Sequence, residues 1–496
     1  MTDPIKVYDA RWEAGEFSDD EIRRLLEATL AYGRRLGANT LTLARDARLT
    51  AGHVLELAME AAERMGFRTF ACLEPISTPQ SYFLTLRISK EHRRTMGLTI
   101  TASHNPASYV GIKFVVPVVR AIGLDCGPDG GLRAIRDLYH GREQFSPAAG
   151  GSLRILNVAR EYVDFSMRQA EIAKGGLGGI NVVLDALHGS AGPEIVTALQ
   201  RAGASVEPLR VVPDGSFPTG SPNPTSQGKM ARAVERAGDG GSRVVIGVDG
   251  DGDRIVFGDR RGLLSAGFAA LPILRATLNA PKNDTAPVLY DPKVNPLALA
   301  EWSRLGARPV LFRNGHSQIK DYMRRIGAPA AAEESGHYYH RIAMGDLTVS
   351  CENEILTILR FLGEVKARPG LMDELWRLQA TVRTTGEFNH QFDSDATRDR
   401  AMAAVIDHFV GEGASTVTTT PDGIDLEGTV LRRGVRLDTA GASLAPDWYS
   451  GYLRIATNEK SVVRSYFSAG EADVLRRVET ATRRILQDAF SGRVID

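Results

Sequence analysis

The sequence predicts an α/β protein of several similar domains, followed by a smaller α+β domain. Three observations support this class. Apolar runs that end in charged or glycine-rich loops alternate with helical patterns, which is typical of βαβ units. The alternation returns at intervals of roughly a hundred residues, and roughly the last hundred residues change to patterns of antiparallel strands. The chain has 496 residues, a length that suggests about three domains.

The first βαβ unit spans residues 39–74. Residues 39–48 (NTLTLARDAR) form an apolar run that ends in charge, as expected of a strand that leads into a loop. Apolar side chains then recur at helical spacing along residues 51–65, and Gly66 ends the predicted helix. Residues 67–74 (FRTFACLE) return as a strand. Because a helix connects the two strands, we expect a parallel sheet.

The same pattern occurs twice more, and the C-terminal region then differs from it. The predicted strands and helices of the two repeats are residues 180–189, 193–203, 204–212, 230–238, 242–248, 286–295, 296–306 and 308–315. In the C-terminal region, residues 416–428 and 452–467 have the pattern of antiparallel strands, and residues 471–490 have that of a closing helix. The chain is therefore expected to end in an α+β domain.

Composition excludes several classes of protein. Lys and Arg together number 60 and Asp and Glu also 60, so no net charge attracts nucleic acid or an anionic membrane. The three cysteines, Cys72, Cys126 and Cys351, are far apart and suggest neither a zinc site nor a disulfide framework. No apolar run approaches the ~18 residues of a membrane span, and the first residues do not resemble a signal peptide. We expect a cytoplasmic protein with no nucleic-acid or membrane partner.

An acidic loop follows the apolar run 242–248. Asp249, Asp251 and Asp253 alternate with two glycines, which allow the backbone to curl so that several carboxylates converge on one hard cation. An EF-hand would need glycine and glutamate where Arg254 and Arg260 stand, so that interpretation fails. An acidic surface turn is the alternative. Three carboxylates would leave an open position for a phosphate oxygen, an arrangement that suits Mg²⁺.

Two further loops carry weaker signals. In EESGH, Glu333, Ser335 and His337 can exchange hydrogen bonds with vicinal hydroxyls such as those of a sugar. In LRIATNEK (residues 453–460), a guanidinium and small donors form a phosphate cradle. The residues of that cradle are Arg454, Thr457 and Asn458. Taken alone, each of these loops is more typical of an ordinary turn than of a binding site.

The segment TASHNP (residues 101–106) contains a serine next to a histidine and precedes Lys113. A nucleophilic serine needs an activating neighbour, but residues adjacent in sequence need not touch, so Ser103 and His104 do not indicate a Ser-His-Asp triad. The chain also lacks the G-x-S-x-G elbow of acyl hydrolases and the P-loop of many kinases. Together, the four loops favour phosphoryl transfer on a phosphosugar.

These loops, in this order, resemble those of the α-D-phosphohexomutase family, the phosphomannomutases and phosphoglucomutases. The resemblance covers nearly the whole chain and extends to YDAR (residues 8–11) and FRNGHSQIKDYM (residues 312–323). It implies four domains around a central cleft, the first three sharing an α/β core. These domains would carry the phosphoserine, metal, sugar and phosphate loops in turn, in residues 1–155, 156–268, 269–378 and 379–496.

The resemblance also implies residue roles. The catalytic residues would be Ser103, as phosphorylated nucleophile, with His104, Lys113, Arg254 and His337. The ligands of Mg²⁺ would be Ser103, Asp249, Asp251 and Asp253. The substrate-binding residues would be Tyr8, Arg11, Arg313, Glu333, Ser335, Arg454, Thr457 and Asn458. The sequence does not choose among His104, His337 and Lys113 for proton transfer.

Some positions depart from the family pattern. Trp12 stands where the family has glycine, Val110 where it has asparagine, and Glu352-Asn353 where it often has Asp-Gly. The phosphate loop has Ala456 in place of a serine and Lys460 in place of a proline. We place these changes in substrate-contact regions. Because the phosphoserine and metal loops are intact, we expect phosphoryl transfer to be retained, with an unusual substrate as an open alternative.

The implied reaction interconverts the 1- and 6-phosphates of mannose or glucose, with a hexose 1,6-bisphosphate as intermediate and activator. Two alternatives stay open: a mutase for an amino-hexose or pentose phosphate, and a phosphosugar-binding protein without turnover. The implied partner is a small-molecule phosphosugar, and the chain is expected to be a monomer or a homodimer.

Overall fold

The structure is a computed structural model that describes residues 3–141, 143–238, 243–278, 285–438, 441–456 and 459–495. The helices are α1 (Asp19–Arg35), α2 (Ala51–Arg64), α3 (Thr78–Glu91), α4 (Leu132–His140), α5 (Ala159–Gln169), α6 (Gly192–Arg201), α7 (Ala231–Gly238), α8 (Ala266–Thr277), α9 (Pro296–Arg304), α10 (His316–Ile326), α11 (Glu354–Ala367), α12 (Leu371–Gln379), α13 (Asp395–Gly411) and α14 (Ala472–Arg484). A short 3₁₀ turn covers Pro128–Gly130, and a π-helical turn, Ile485–Ala489, continues α14.

The strands run from the N-terminal region to the last described residues. They are β1 (Ala10–Glu13), β2 (Thr40–Arg45), β3 (Arg68–Ala71), β4 (Thr95–Ile100), β5 (Tyr109–Val116), β6 (Arg120–Ala121), β7 (Ser152–Ile155), β8 (Asn181–Asp185), β9 (Ser205–Leu209), β10 (Val244–Val248), β11 (Ile255–Asp259), β12 (Gly262–Leu263), β13 (Ala286–Tyr290), β14 (Ala307–Leu311), β15 (Ala330–Ala332), β16 (Tyr338–Met344), β17 (Leu347–Glu352), β18 (Arg383–Gln391), β19 (Ser415–Thr419), β20 (Asp425–Asp438), β21 (Gly441–Ile455), β22 (Val462–Ala469) and β23 (Arg493–Ile495).

The chain divides into two compact units. The first contains Met1–Leu264, Gly315–Ala331 and Ser335–Arg368, and the second contains Ser265–Asn314, Ala332–Glu334 and Pro369–Asp496. Each unit is therefore assembled from three segments that alternate along the sequence. The four-domain division stays a prediction.

In the first unit, one sheet has the order β1-β5-β4-β2-β3-β7. The predicted βαβ unit is confirmed, since β2 is parallel to β3 and the intervening α2 buries the apolar face seen in the sequence. The sheet is not parallel throughout, because β4 and β5 are antiparallel. Their connection, residues 101–108, is too short for the crossover that parallel neighbours require.

The second sheet of this unit, β12-β11-β10-β8-β9, repeats the arrangement. Strands β8, β9 and β10 are parallel, whereas β11 returns antiparallel to β10. The acidic loop, residues 249–254, makes that return. Both TASHNP and the acidic loop thus connect a buried parallel strand to an antiparallel one.

The second unit contains the predicted α+β region. Strand β13 is parallel to β14, and a six-stranded sheet has the order β19-β20-β21-β22-β18-β23. Apolar side chains of α13 and α14, including Phe409 and Val478, pack against this sheet. The predicted fold class, α/β followed by α+β, is confirmed. Within the part of the chain that the structure describes, the helices all lack the length or the apolar character needed to cross a membrane.

Candidate active site

The TASHNP loop presents Ser103 in an unusual backbone conformation. The φ of Ser103 is 52°, in the left-handed region that non-glycine residues rarely adopt. The Ser103 amide donates to the Thr101 hydroxyl at 2.9 Å, which ties the turn to itself. Ser103 is buried, so the turn aims its hydroxyl into the protein.

The hydroxyl of Ser103 lies between a histidine and an aspartate. Its Oγ is 3.2 Å from His104 Nδ1 and donates to Asp249 Oδ2 at 3.1 Å. Residues adjacent in sequence need not touch, but the left-handed turn at Ser103 brings these two side chains together. TASHNP and the acidic loop therefore form one site.

The acidic loop follows β10, and its three carboxylates converge as predicted. One oxygen from each of Asp249, Asp251 and Asp253 lies within 4.8 Å of the others, and all three residues are buried. Gly252 has φ of 78°, and a Cβ at Gly250 would stand 2.8 Å from the Ser103 carbonyl oxygen. Glycine at both positions thus permits the turn and the close approach of the two loops.

Lys113 offsets part of this negative charge. Its Nζ donates to Asp251 Oδ2 at 2.7 Å and also to Asp253 Oδ2. Burial lowers the pKa of Lys113, but Asp251 and Asp253 outweigh it and raise that pKa. Burial, and then Asp251 and Asp253, raise the pKa of Asp249 well above its ordinary value. A cation bound beside these carboxylates would favour the ionised form of Asp249.

The residues of this loop fit Mg²⁺. Asp251 Oδ1 and Asp253 Oδ1 are buried and have no hydrogen-bond partner among the described residues. A buried carboxylate oxygen without a partner is costly unless a cation binds it. The donors are all hard oxygens, which Mg²⁺ prefers to the imidazole and thiolate ligands typical of zinc sites.

His337 lies on the other side of Asp253. Arg254 Nε donates to His337 Nε2 at 3.2 Å, so the ring carries its proton on Nδ1. Nδ1 is 3.7 Å from both Asp253 Oδ1 and Glu352 Oε1. These three side chains form a second group with the spacing of metal ligands, but a protonated Nδ1 cannot bind a cation. Nδ1 has no hydrogen-bond partner among the described residues, so we interpret His337, Asp253 and Glu352 as an electrostatic cluster and not as a metal site.

Both histidines near Ser103 are neutral. Burial, followed by Arg254, lowers the pKa of His104 well below its ordinary value. Burial likewise lowers the pKa of His337, although Asp253 opposes the effect. A neutral imidazole accepts a proton at its unprotonated nitrogen, so both remain candidates for proton transfer, although His337 must first release Nε2 from Arg254.

Tyr8 and Arg11 belong to the first unit, as do these loops. Arg11 Nη1 donates to Asn105 Oδ1 at 3.1 Å, which places its guanidinium beside the TASHNP loop. The rings of Tyr8 and His316 make an edge contact with centroids 6.2 Å apart. Ser335 and His337 also lie in the first unit, whereas Glu333 lies in the second.

The other predicted substrate-binding residues lie in the second unit. Arg313 Nη1 pairs with Glu427 Oε1 at 2.9 Å, and Asn314 Nδ2 lies 3.4 Å from Glu333 Oε1. Arg454 is half-buried in β21, and its Nε has no hydrogen-bond partner among the described residues. Thr457 and Asn458, the other residues of the predicted cradle, lie outside the described residues.

Three residues that depart from the family pattern do not line the site. Trp12 of β1 and Val110 of β5 are cross-strand neighbours, and both belong to the buried core of the first sheet. Asn353 caps α11 by accepting from the Leu356 amide. Placing these three in substrate-contact regions was wrong, because strand pairing and helix capping account for them. Glu352, by contrast, does face His337.

Comparisons with known proteins agree with this geometry. Family models described as phosphoglucomutase/phosphomannomutase, alpha/beta/alpha domain I and domain II, match residues 4–122 and 160–262. A phosphomannomutase of Salmonella montevideo is 30% identical over 431 residues, which cover 85% of this chain and 89% of the relative. The chain belongs to the α-D-phosphohexomutase family.

Solved structures of the family share the fold. A phosphoglucomutase/phosphomannomutase family protein of Burkholderia thailandensis matches with a TM-score of 0.78 and 23% identity, over 98% of this chain and 97% of its own. An N-acetylphosphoglucosamine mutase of Aspergillus fumigatus, solved with GlcNAc-6P and magnesium, matches with a TM-score of 0.55 and 12% identity, over 98% and 96%. As a family member, the chain is an intramolecular phosphotransferase, a phosphohexomutase.

Proposed function

We propose that the chain interconverts the 1- and 6-phosphates of an aldohexose through a phosphorylated Ser103. The observation that carries this proposal is the position of Ser103 Oγ, 3.2 Å from His104 Nδ1 and 3.1 Å from Asp249 Oδ2. A hydroxyl in contact with an imidazole and a carboxylate has a path for its proton. The left-handed turn at Ser103 holds that hydroxyl against His104 and Asp249 inside a buried site.

The reaction consists of two phosphoryl transfers. In the first, the P–O bond of phosphoserine breaks and Ser103 Oγ takes up a proton, while a new P–O bond forms to the free sugar hydroxyl, whose proton passes to a neutral base. His104 and His337 are the candidates for that base. In the second, Ser103 Oγ gives up its proton and bonds to the other phosphate of the bisphosphate, whose P–O bond to the sugar breaks, and the released sugar oxygen takes up a proton. Lys113, between Asp251 and Asp253, offsets charge on the transferred group.

Mg²⁺ would be held by the three aspartates and by the group on Ser103. When bound, it would supply positive charge against the equatorial oxygens of the transferred phosphoryl group. Support comes from the two partnerless oxygens, Asp251 Oδ1 and Asp253 Oδ1, and from the magnesium in the Aspergillus relative. Asp249 already accepts from the nucleophile, so the same loop would orient Ser103 and hold the cation.

Substrate recognition is assigned to a second set of side chains. Glu333 and Ser335 would bind sugar hydroxyls, while Arg454 would bind the phosphate that is not being transferred. The side chain of Arg454 suits this role, because a planar guanidinium binds phosphate through two parallel hydrogen bonds. Each phosphate of the bisphosphate intermediate must bind Arg454 in turn while the other is transferred, so the sugar must reorient between the two transfers.

The test is a coupled assay over hexose, hexosamine and pentose 1-phosphates with wild type and Ser103→Ala. We expect turnover of at least one hexose phosphate by wild type, its almost complete loss in Ser103→Ala, and a wild-type fraction heavier by one phosphoryl group. Ser108→Ala is the matched control, because Ser108 is exposed in the same loop. Normal turnover by Ser103→Ala would refute the phosphoserine assignment.

A further inference from the structure

The guanidinium of Arg48 lies buried behind the TASHNP loop and donates to three carbonyl groups of the loop and to that of Tyr109, the first residue of β5. Nη2 donates to Ser103 O at 2.6 Å and to Asn105 O at 2.7 Å. Nη1 donates to Pro106 O at 2.5 Å and to Tyr109 O at 3.0 Å. Together with Nε, which donates to Asp46, all five N–H groups of the side chain are used.

Asp46 extends this set of contacts to the amide of the nucleophile. Its Oδ2 accepts from Arg48 Nε at 3.1 Å and from the Thr101 hydroxyl at 2.7 Å. The Thr101 oxygen in turn accepts from the Ser103 amide. Asp46, Arg48 and Thr101 thus fix both the amide and the carbonyl of Ser103. We call these three residues the loop clamp.

The loop clamp explains how Ser103 keeps its left-handed backbone. Such a conformation is unfavourable for a residue with a Cβ and persists only when its surroundings determine it. Arg48 and Asp46 are fully buried, and the ring of Phe217 covers the guanidinium at 5.2 Å. The clamp therefore has no solvent to compete for its hydrogen bonds.

We propose that Arg48, together with Asp46 and Thr101, is a positioning residue for phosphoryl transfer. Within the TASHNP loop its guanidinium bonds only to backbone carbonyls, and it acts by holding Ser103 Oγ against Asp249 and His104. The proposal rests on the proposed function, in which Ser103 carries the phosphoryl group. Residues that bind the sugar and its second phosphate do not belong to the clamp, so its loss slows transfer without weakening substrate binding.

The first test is Arg48→Lys, which keeps the charge beside Asp46 but has too few donors for four carbonyls. We expect kcat to fall at least about tenfold, while the KM for the phosphosugar stays within about twofold. Arg45→Lys is the matched control. Arg45 is the last residue of β2, three positions before Arg48, and its side chain donates to the Leu73 and Asp46 carbonyls instead of the TASHNP carbonyls.

A second pair of variants keeps the test decisive if Arg48→Lys does not fold. Thr101→Val has nearly the same shape but loses the hydroxyl that links Asp46 to the Ser103 amide, whereas Thr101→Ser keeps that hydroxyl. We expect Thr101→Val to show the same fall in kcat at constant KM, and Thr101→Ser to restore most of the turnover. Circular dichroism and thermal unfolding would establish that each variant is folded.

The outcomes separate this proposal from the proposed function. If wild type shows no turnover that depends on Ser103, the proposed function fails. If wild type does turn over, the loop clamp is refuted by wild-type kcat in Arg48→Lys or in Thr101→Val. It is also refuted by a rise in KM at constant kcat, or by an equal fall in Arg45→Lys, since neither result follows from positioning Ser103.

Discussion

At the scale of the residue, the nucleophile and the phosphate-binding arginine have contrasting surroundings. The amide of Ser103 donates to the Thr101 hydroxyl, and the hydroxyl of Ser103 donates to Asp249. Arg454, in β21, keeps a buried Nε without a partner among the described residues. A guanidinium that the protein itself does not saturate has donors left for a phosphate.

Arg454→Lys should therefore raise the KM for the phosphosugar although the charge is kept. Lysine cannot form two parallel bonds to one phosphate, and a hydrogen bond to a charged group contributes about 1.5–3 kcal/mol, so we expect about a tenfold rise or more. Steady-state kinetics on the best sugar of the panel provide the measurement. Arg433→Lys is the control, because Arg433 on β20 pairs with Asp447 near the surface. Equal KM values for wild type and Arg454→Lys would mean that the phosphate is bound elsewhere.

The sequence predicted site residues only where they belong to a recognisable motif. Ser103 and the three aspartates follow apolar runs in recognisable loops, and the structure brings these loops together. Arg48 was missed because its partners are carbonyl groups distant in sequence. Its only signal was charge at the end of a buried strand, in RDAR. The placement of Trp12 in a substrate-contact region was wrong for a related reason. Strand register pairs Trp12 with Val110, and a single sequence does not reveal that register.

At the scale of the element, helix α11 connects buried polar groups of the first unit. Its first residue, Glu354, accepts from Tyr162 Oη at 2.5 Å and from Ser77 Oγ at 2.8 Å. Thr78, which follows Ser77 and begins α3, donates to Asp251 Oδ2 at 2.6 Å. Adjacent residues at the start of α3 thus contact the buried glutamate and the metal loop.

Glu354 should make the stability of the protein depend on pH. Burial raises its pKa from 4.5 to about 7, although the bonds from Tyr162 and Ser77 oppose that effect. The folded state therefore binds this proton more tightly than the unfolded state. The resulting stabilisation is complete below about pH 4.5 and is lost as the pH rises to about 7, a loss of at most about 3 kcal/mol.

Glu354→Gln should remove this dependence. We expect the thermal midpoint of wild type to fall more steeply between pH 5 and pH 7.5 than that of the variant, in runs of about equal ionic strength. Glu56→Gln, on the exposed face of α2, is the control and should follow wild type. Parallel curves for wild type and Glu354→Gln would show that this carboxyl does not titrate differently on unfolding.

At the scale of the whole molecule, local patterns predicted the elements but not their assembly. Strands such as β2, β8 and β13 follow from apolar runs, and α2, α6 and α9 from helical spacing. The alternation of the two units along the chain does not follow from these patterns. Residues 315–331 return to the first unit after residues 265–314 in the second, and residues 335–368 return again after residues 332–334. Such returns depend on contacts between distant segments, for which periodicity carries no information.

The metal site is one result of this long-range assembly. Lys113 bonds to Asp251 across 138 positions of sequence, and Ser103 to Asp249 across 146. An unfolded chain cannot bring these groups together, so Mg²⁺ should bind the folded state almost exclusively. Binding of that kind stabilises the folded state in proportion to the logarithm of the free metal concentration.

Mg²⁺ added to the chelator-treated protein should therefore raise the thermal midpoint measured by scanning calorimetry. At a free concentration of about 100 times Kd, the expected stabilisation is about 2.7 kcal/mol. Asp251→Asn should reduce the response, because it removes a carboxylate whose Oδ1 has no other partner among the described residues. Asp20→Asn, at a side chain that is 96% exposed, should respond like wild type. A wild-type midpoint that stays constant over the whole Mg²⁺ range would refute the site, whereas equal shifts in wild type and Asp251→Asn would place the metal on other ligands.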